Sequence, residues 1–285
     1  MTTLTRSSAY RVPWSNLLLP WRVWTRLFQY RELIQQFTRR EILGRYKGSA
    51  LGIFWSFLNP LFMLAIYTIV FGFIFQARYG QTASETKMDY ALALFCSLNI
   101  FHFFAEVVSH APTLLVNNPN FITKVVFPLE IFGVASIGSA IVHLMISMTP
   151  LLIALLLVQG QIHLTALYVL PWLIPLALFS LGITWALSSA GIFLRDINAL
   201  ISPFVLVLLY VSAVFYPIAK VPEQFRWLFA LNPLAQIIDQ SRKVMVWGMS
   251  FDFTLWCVLF LASLIVCHGG YAFFMRAKRL FADRL

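Results

Sequence analysis

The sequence predicts an all-α membrane protein with six transmembrane helices, and three observations carry this prediction. Of the 285 residues, 60% are hydrophobic and only 11% are charged, which leaves too little polar surface to cover a soluble domain. Several uncharged runs are long enough to cross a bilayer. Basic residues are concentrated in residues 1–47 and 276–285. Because cytoplasmic segments carry an excess of Lys and Arg, we expect both termini in the cytoplasm and an even number of spans.

Residues 1–47 are predicted to be a cytoplasmic segment with an amphipathic helix in the membrane interface. Between residues 14 and 37, aromatic residues such as Trp24 and Phe28 recur at helical spacing on one face, and basic residues occupy another. The alternative is a short cytosolic helix that packs on a partner. The net charge of +10 reflects the two basic ends of the chain, so it does not indicate a nucleic-acid partner.

The remaining residues, 48–285, are predicted to form the transmembrane domain. Residues 48–77 contain no Asp, Glu, Lys or Arg, and a helix of this length exceeds the roughly 30 Å hydrocarbon core. Asn59-Pro60 should bend this span, because proline removes a backbone donor. Each further span is an apolar run bounded by polar or charged residues. The six predicted spans are residues 48–77, 90–116, 129–158, 168–193, 197–219 and 253–275.

The second span carries polar residues on one helical face. This polar stripe recurs at steps of three and four and consists of Asn99, His102, Glu106 and His110. An ionisable residue in a span is costly unless it faces water or another helix, so the stripe should line a water-filled path or bond a neighbouring helix. The alternatives are a proton relay in a secondary transporter and a membrane-embedded transferase that uses His102 and Glu106. The two histidines lie about 12 Å apart along the helix, so no metal site is predicted.

Two elements between the spans are predicted from their prolines and charges. Residues 118–127 should form a short cytoplasmic helix, because Asn118 is a suitable N-cap and Pro119 suits the first helical position. An ordinary connecting turn is the alternative. Residues 220–252 mix charged residues with apolar pieces too short to cross a bilayer. We expect two short periplasmic, re-entrant helices there, broken at Asn232-Pro233, that lie in the outer interface or dip into it.

Common motifs of nucleotide-binding proteins and hydrolases are absent from the sequence. No GxxxxGK[ST] occurs, so the chain is not expected to bind ATP through a P-loop of its own, and no cofactor is predicted in it. The GxSxG and HExxH motifs are also missing. Cys96, Cys257 and Cys267 lie in apolar spans without CxxC spacing, so we expect neither a disulfide nor a metal site.

Five segments, in order along nearly the whole chain, carry a resemblance to a known family. They are RYKGSALGIFWSFLNPLFMLAIYTIVFG (45–72), FITKVVFPLE (121–130), LRDI (194–197), FYPI (215–218) and LNPL (231–234), with Arg242 beyond the last. In this order they resemble the ABC-2 type permeases that export lipid-linked polysaccharides. The resemblance implies the ABC-2 exporter fold.

The resemblance also implies a permease subunit of an ATP-driven transporter rather than an enzyme. It implies a homodimer in the bacterial inner membrane, surrounded by membrane lipids and joined to two copies of a cytoplasmic ABC ATPase that hold ATP and Mg. The implied substrate is a glycan linked to undecaprenyl pyrophosphate. O-antigen is the expected polymer, and capsule and teichoic acid are the alternatives.

Roles for individual residues follow from the same resemblance. A basic collar would bind the lipid pyrophosphate, and it comprises Arg39, Arg40, Arg45 and Lys47. The aromatic residues expected along the channel are Trp55, Phe71 and Phe75. Contacts with the ATPase are expected from Asn118, Phe121, Thr123, Lys124, Arg195 and Asp196. A periplasmic gate would include Tyr216, Pro217, Asn232, Pro233 and Arg242.

Overall fold

The computed structural model describes residues 20–47, 54–75, 78–80, 86–123, 127–194, 196–281 and 284. Within these ranges the regular secondary structure is entirely helical, which confirms the predicted all-α class. The α-helices, numbered in chain order, are α1 (Pro20–Gln29), α2 (Arg31–Tyr46), α3 (Trp55–Tyr67), α4 (Lys87–His110), α5 (Pro119–Thr123), α6 (Ile131–Gln159), α7 (Val169–Phe193), α8 (Ile197–Val211), α9 (Glu223–Leu231), α10 (Pro233–Val246) and α11 (Phe253–Ala277).

Among the described residues, four helical stretches are long and apolar enough to cross a bilayer, as expected of a multi-pass membrane protein. They correspond to the second, third, fourth and sixth predicted spans. They are Met88–Thr113, Ile131–Gln159, Leu164–Phe193 and Phe253–Leu280.

The first and fifth predicted spans contain shorter apolar helices. α3 includes Pro60 and is followed by a π-helix over Thr68–Ile74, a feature that the sequence did not indicate. α8 ends at Val211, whereas the predicted span continued to residue 219. Its 15 residues extend about 22 Å, less than the roughly 30 Å hydrocarbon core. Crossing by six spans therefore stays a prediction.

α8 ends early because the chain turns directly after it. Ala213 has a left-handed backbone conformation, with φ of 52°. The side-chain amide of Asn232 donates to the carbonyl of Val211 and to the hydroxyl of Ser212, both at 3.2 Å. Hydropathy continues past this point, so the apolar pattern alone placed the helix end too late.

α4 lies at the centre of the bundle. A capping box closes its N-terminus: Thr86 Oγ1 accepts from the Asp89 backbone N–H at 3.2 Å, and the Asp89 carboxylate accepts from the Thr86 N–H at 2.8 Å. Helices α3, α6, α7, α8 and α10 all pack against α4, and 89% of its apolar stretch is buried. Because protein rather than lipid surrounds α4, it can carry polar residues in its interior turns.

α10 is also buried inside the bundle, and the re-entrant position of segment 220–252 at the outer interface stays a prediction. It packs against α4 and α7, and even Asp239 and Arg242 are buried. The predicted break between α9 and α10 is confirmed, since Asn232 separates them and its side chain accepts from the Leu234 N–H at 3.0 Å. A helix with charges can be buried here because those charges pair with each other.

α7 and α11 approach each other closely at two glycines. A Cβ atom added to Gly270 would lie 2.0 Å from the carbonyl oxygen of Gly182, and one added to Gly182 would lie 2.5 Å from the carbonyl oxygen of Val266. Small residues allow such close backbone contact between membrane helices. Gly269, the neighbour of Gly270, faces open space.

Replacing Gly270 by Ala should therefore lower the melting temperature of the detergent-solubilised protein, because the added methyl group forces two backbones apart. Overpacking of this kind costs about 1–3 kcal/mol. Gly269→Ala is the matched control and should leave the melting temperature unchanged or raise it slightly, since alanine favours helix. Equal melting temperatures for the two variants would contradict the close packing of α7 on α11.

Candidate functional site

The basic collar and the polar stripe, predicted as separate features, meet at one residue. α2 packs along α6 and places Arg45 beside α4. There the Arg45 guanidinium forms an ion pair with the Glu106 carboxylate, and its Nη1 lies 3.4 Å from His143 Nδ1 on α6. Three helices thus contribute to one cluster of ionisable side chains.

A cavity of about 620 Å³ opens between α3, α4 and α6 on one side of this cluster. We call it the stripe cavity, because Asn99, His102 and Glu106 line it. Trp55 lines its α3 side, and the Asn99 amide donates to the Ser147 carbonyl of α6 at 3.3 Å. The stripe therefore does both things that the sequence allowed: it borders an open space and bonds a neighbouring helix.

A second cavity of about 360 Å³ lies on the other side of Arg45, between α2, α4 and α6. We call it the collar cavity. Arg40 and Asn118 line it, together with His110 at the end of the stripe. Arg45 lines both cavities, so the two spaces adjoin at this side chain.

The other collar residues face a shallower groove on the outer side of α2. Arg39, Arg40 and Lys47 line this groove. The Arg40 guanidinium also lies over the Phe37 ring, 4.3 Å from its centroid, and donates to Asn118 Oδ1 at 3.5 Å. All four collar residues thus lie on the same region of α2 and its end, with Arg45 on the side that faces the bundle.

Glu41 also lines the collar cavity, although no sequence pattern marks it as a site residue. It accepts a hydrogen bond from the Ser136 hydroxyl at 3.1 Å. Burial raises the pKa of the Glu41 carboxyl above its ordinary value. From the sequence alone, an acidic residue among basic ones is expected to be exposed to solvent. Only the contact of Glu41 with Ser136 of α6 shows that it is partly buried.

The residues expected to contact an ATPase are described only in part. α5 is a single short helix, as predicted, and Phe121 packs in a cluster of four phenylalanines, whose ring centroids lie 4.7–5.6 Å apart. The other three are Phe37, Phe127 and Phe132. Asn118 donates to the Leu114 carbonyl at 2.9 Å, and Asp196 is exposed.

Some of these predicted residues lie outside the described part of the chain. They are Lys124, Arg195 and the side chain of Thr123.

Among the predicted gate residues, Tyr216 contacts Arg242 through its backbone carbonyl. The Arg242 guanidinium is fully buried, pairs with Asp239 and donates to the carbonyls of Ala213 at 2.8 Å and Tyr216 at 3.5 Å. It also lies over the Tyr79 ring, 4.6 Å from the centroid. Arg242 therefore holds the turn after α8, including the residues that lead into Pro217, against α10.

The three aromatic candidates have different surroundings. Trp55 lines the stripe cavity. Phe71 packs against Tyr90 and Phe215, with centroids 6.0 and 6.3 Å away, and Phe75 is 67% exposed. Over the described ranges, no group of three or more His, Cys, Asp or Glu side chains is placed to hold a metal ion.

Comparisons with known proteins relate this chain to one family of membrane transporters. The model of the ABC-2 type transporter family matches residues 32–246. Two O-antigen export system permease proteins named RfbA, both from Klebsiella pneumoniae, are 27% and 25% identical to this chain, over 89% of it and 95% of each relative. An O-antigen export system permease protein RfbA from Myxococcus xanthus is 22% identical, over 91% of this chain and 97% of the relative.

Replacing Glu41 by Gln should stabilise the protein at neutral pH. Because the pKa of Glu41 is raised in the folded protein, the folded state binds more protons than the unfolded state, so the free energy of unfolding falls as pH rises through the raised pKa. Gln avoids this loss and can still accept from Ser136. We expect a higher melting temperature for Glu41→Gln at pH 7.5, with a smaller gain near pH 4.5. Glu32→Gln, at an exposed position of α2, is the control, and a gain independent of pH would contradict the prediction.

Proposed function

The chain belongs to the ABC-2 type transporter family, and we propose that it is the membrane permease subunit of an ATP-driven exporter of lipid-linked polysaccharide. O-antigen is the substrate that the names of the three relatives favour. Capsule polysaccharide and teichoic acid are the alternative substrates for an exporter of this family. The proposed carrier is undecaprenyl pyrophosphate, a dianionic or more highly charged headgroup on an apolar tail.

The observation that carries this proposal is the junction of the two cavities at Arg45. A pyrophosphate needs cationic hydrogen-bond donors, and arginine provides them in a geometry that matches phosphate oxygens. The collar supplies such donors at the collar cavity, and the stripe cavity adjoins it with polar and aromatic side chains, including Asn99 and Trp55. The headgroup binds first at the collar, and the glycan follows along the polar stripe past Trp55, whose ring face stacks on sugars.

ATP acts through a separate subunit in this proposal. The chain has no P-loop, and two copies of an ABC ATPase dock on the cytoplasmic side against α5 and Asp196. The phenylalanine cluster supports a coupling role for α5, because it packs Phe121 directly against Phe37 of the collar helix α2.

The export path forms between two copies of this chain in the bacterial inner membrane, with both termini of each copy cytoplasmic. A channel at a twofold interface requires apolar and aromatic faces that one copy leaves uncovered. α3 and the π-helix that follows it have such a face, with Phe62 and Phe73 exposed. The turn held by Arg242 forms the periplasmic gate. A transferase reaction at His102 and Glu106 has less support, since the Glu106 carboxylate is paired with Arg45 and not with His102.

Charge reversal at Arg40 tests the collar. Arg40→Glu should weaken stimulation of ATP turnover by polyprenyl-pyrophosphate-linked glycan in the reconstituted complex, raising the half-maximal concentration roughly tenfold or more, because charge-assisted hydrogen bonds contribute about 1.5–3 kcal/mol. Basal turnover should remain. Arg31→Glu is the matched control on α2, where Arg31 contacts the Phe28 ring at 4.8 Å. Unchanged stimulation in Arg40→Glu would refute the collar as the headgroup site, and absence of any glycan-dependent turnover in the unaltered complex would refute the function.

Cross-linking tests the coupling role of α5. In a variant whose three native cysteines are replaced by alanine, Asn120→Cys should cross-link to the cognate ATPase, since Asn120 is exposed on α5. Leu157→Cys, near the other end of α6 and 79% exposed, is the control and should not cross-link. Labelling of Cys at position 120 by a membrane-impermeant maleimide from the periplasmic side would overturn the proposed orientation.

A further inference from the structure

The Arg45–Glu106 pair differs from the other arginine–carboxylate pair in the interior by its access to open space. Side-chain exposure is 27% for Arg45 and 23% for Glu106, whereas it is 0% for Arg242 and 8% for Asp239. Arg242 is in addition bound by backbone carbonyls. Arg45 borders both cavities and Glu106 borders the stripe cavity, so a ligand can reach the pair without dismantling packed structure.

Glu106 occupies the same donors on Arg45 that a phosphate oxygen would use. A guanidinium binds carboxylates and phosphates through one planar set of N–H groups. The pair also lies at the junction of the two cavities, so a headgroup moving from the collar cavity to the stripe cavity passes it. Glu106 and an anionic headgroup therefore compete for one cation.

We propose that Glu106 is a displaceable internal ligand of Arg45, which the pyrophosphate replaces on its way into the stripe cavity and which returns once the headgroup has left. This inference rests on the proposed function. The free-energy cost of this exchange is lower than that of leaving Arg45 unpaired, because Arg45 has an anionic partner before, during and after passage of the headgroup. The displaced carboxylate remains in the stripe cavity, one helical turn from His102 and His110 and within reach of water.

The arrangement favours passage over tight capture. An arginine without a competing carboxylate at this junction would bind the headgroup more strongly and release it more slowly. With Glu106 present, release of the headgroup is assisted by re-formation of the internal pair. Glu106 thus promotes release of the headgroup, a role that no sequence motif or hydropathy pattern indicates.

Binding of a fluorescent polyprenyl pyrophosphate to the complete complex in nanodiscs tests the inference. Glu106→Gln should lower its Kd about tenfold, the scale of one charge-assisted hydrogen bond. Glu106→Asp, which keeps the charge, should stay close to the unaltered protein, and so should Glu32→Gln, which removes a carboxylate elsewhere on the exposed surface. Arg45→Gln should weaken binding, and Glu106→Gln should bring no further gain in that background. If Glu106→Gln fails to assemble with the ATPase, Glu106→Ala replaces it with the same expectation.

Unchanged or weaker binding in Glu106→Gln, with binding intact in the unaltered complex, would overturn the internal-ligand role and leave the proposed function standing. Absence of binding in the unaltered complex would overturn both. The dephosphorylated polyprenol is the second probe, and its affinity should not respond to Glu106→Gln. An equal gain for the polyprenol, or an equal gain in Glu106→Asp, would mean that altered packing rather than charge is responsible, and would also overturn the inference.

Discussion

A charge inside an apolar helical bundle must be paired, and this constraint shapes every functional segment of the protein. Lipid offers no inexpensive alternative away from water, because an isolated buried ion costs several kcal/mol even after relaxation. In the described part of the chain, the pairs that connect different segments or turns include Arg45 with Glu106, Arg242 with Asp239, and Lys278 with Glu130. The first joins α2 to α4, the second fastens the turn after α8 to α10, and the third joins the end of α11 to the start of α6. Charge pairing therefore holds these helices and turns together at positions where the contacting side chains are polar.

Burial decides what each pair can do. The Arg242 guanidinium is enclosed and bound to the carbonyls of Ala213 and Tyr216, so its partners cannot exchange without unfolding the turn. Asp239 is also shared with Lys243 at 2.6 Å, so one carboxylate pairs with both cations of α10. The Arg45 pair uses the same residue chemistry at the edge of two cavities. A closed pair acts as a structural fastening, whereas an open pair is available to a ligand.

The sequence predicted the helical class, four of the long spans and the stripe, because these depend on local hydropathy and on helical periodicity. Two structural features depended on distant contacts and were missed. The end of α8 at Val211 is set by the Asn232 side chain. α10 is buried because Arg242, which pairs with Asp239 of the same helix, also donates to the carbonyls of Ala213 and Tyr216, which lie outside its segment. The collar and the stripe were each recognised, but Arg45 and Glu106 are 61 positions apart in the sequence, and the residues between them hold no signal that the two meet. Tertiary packing alone creates that junction.

The phenylalanine cluster packs α2, which carries the collar, directly against α5. Phe37 lies on α2, Phe121 on α5 and Phe132 on α6, and their rings pack edge to face with centroids 5.2–5.6 Å apart. Close-packed side chains transmit displacement because they cannot compress. A shift of α5 would therefore move α2 as a unit, and α2 carries Arg45 two turns beyond Phe37. The force needed to part Arg45 from Glu106 and a force applied at α5, the proposed ATPase-facing helix, would thus act on the same rigid element. This provides a physical reason for the proposed headgroup site to lie at the end of α2 rather than deeper in the bundle.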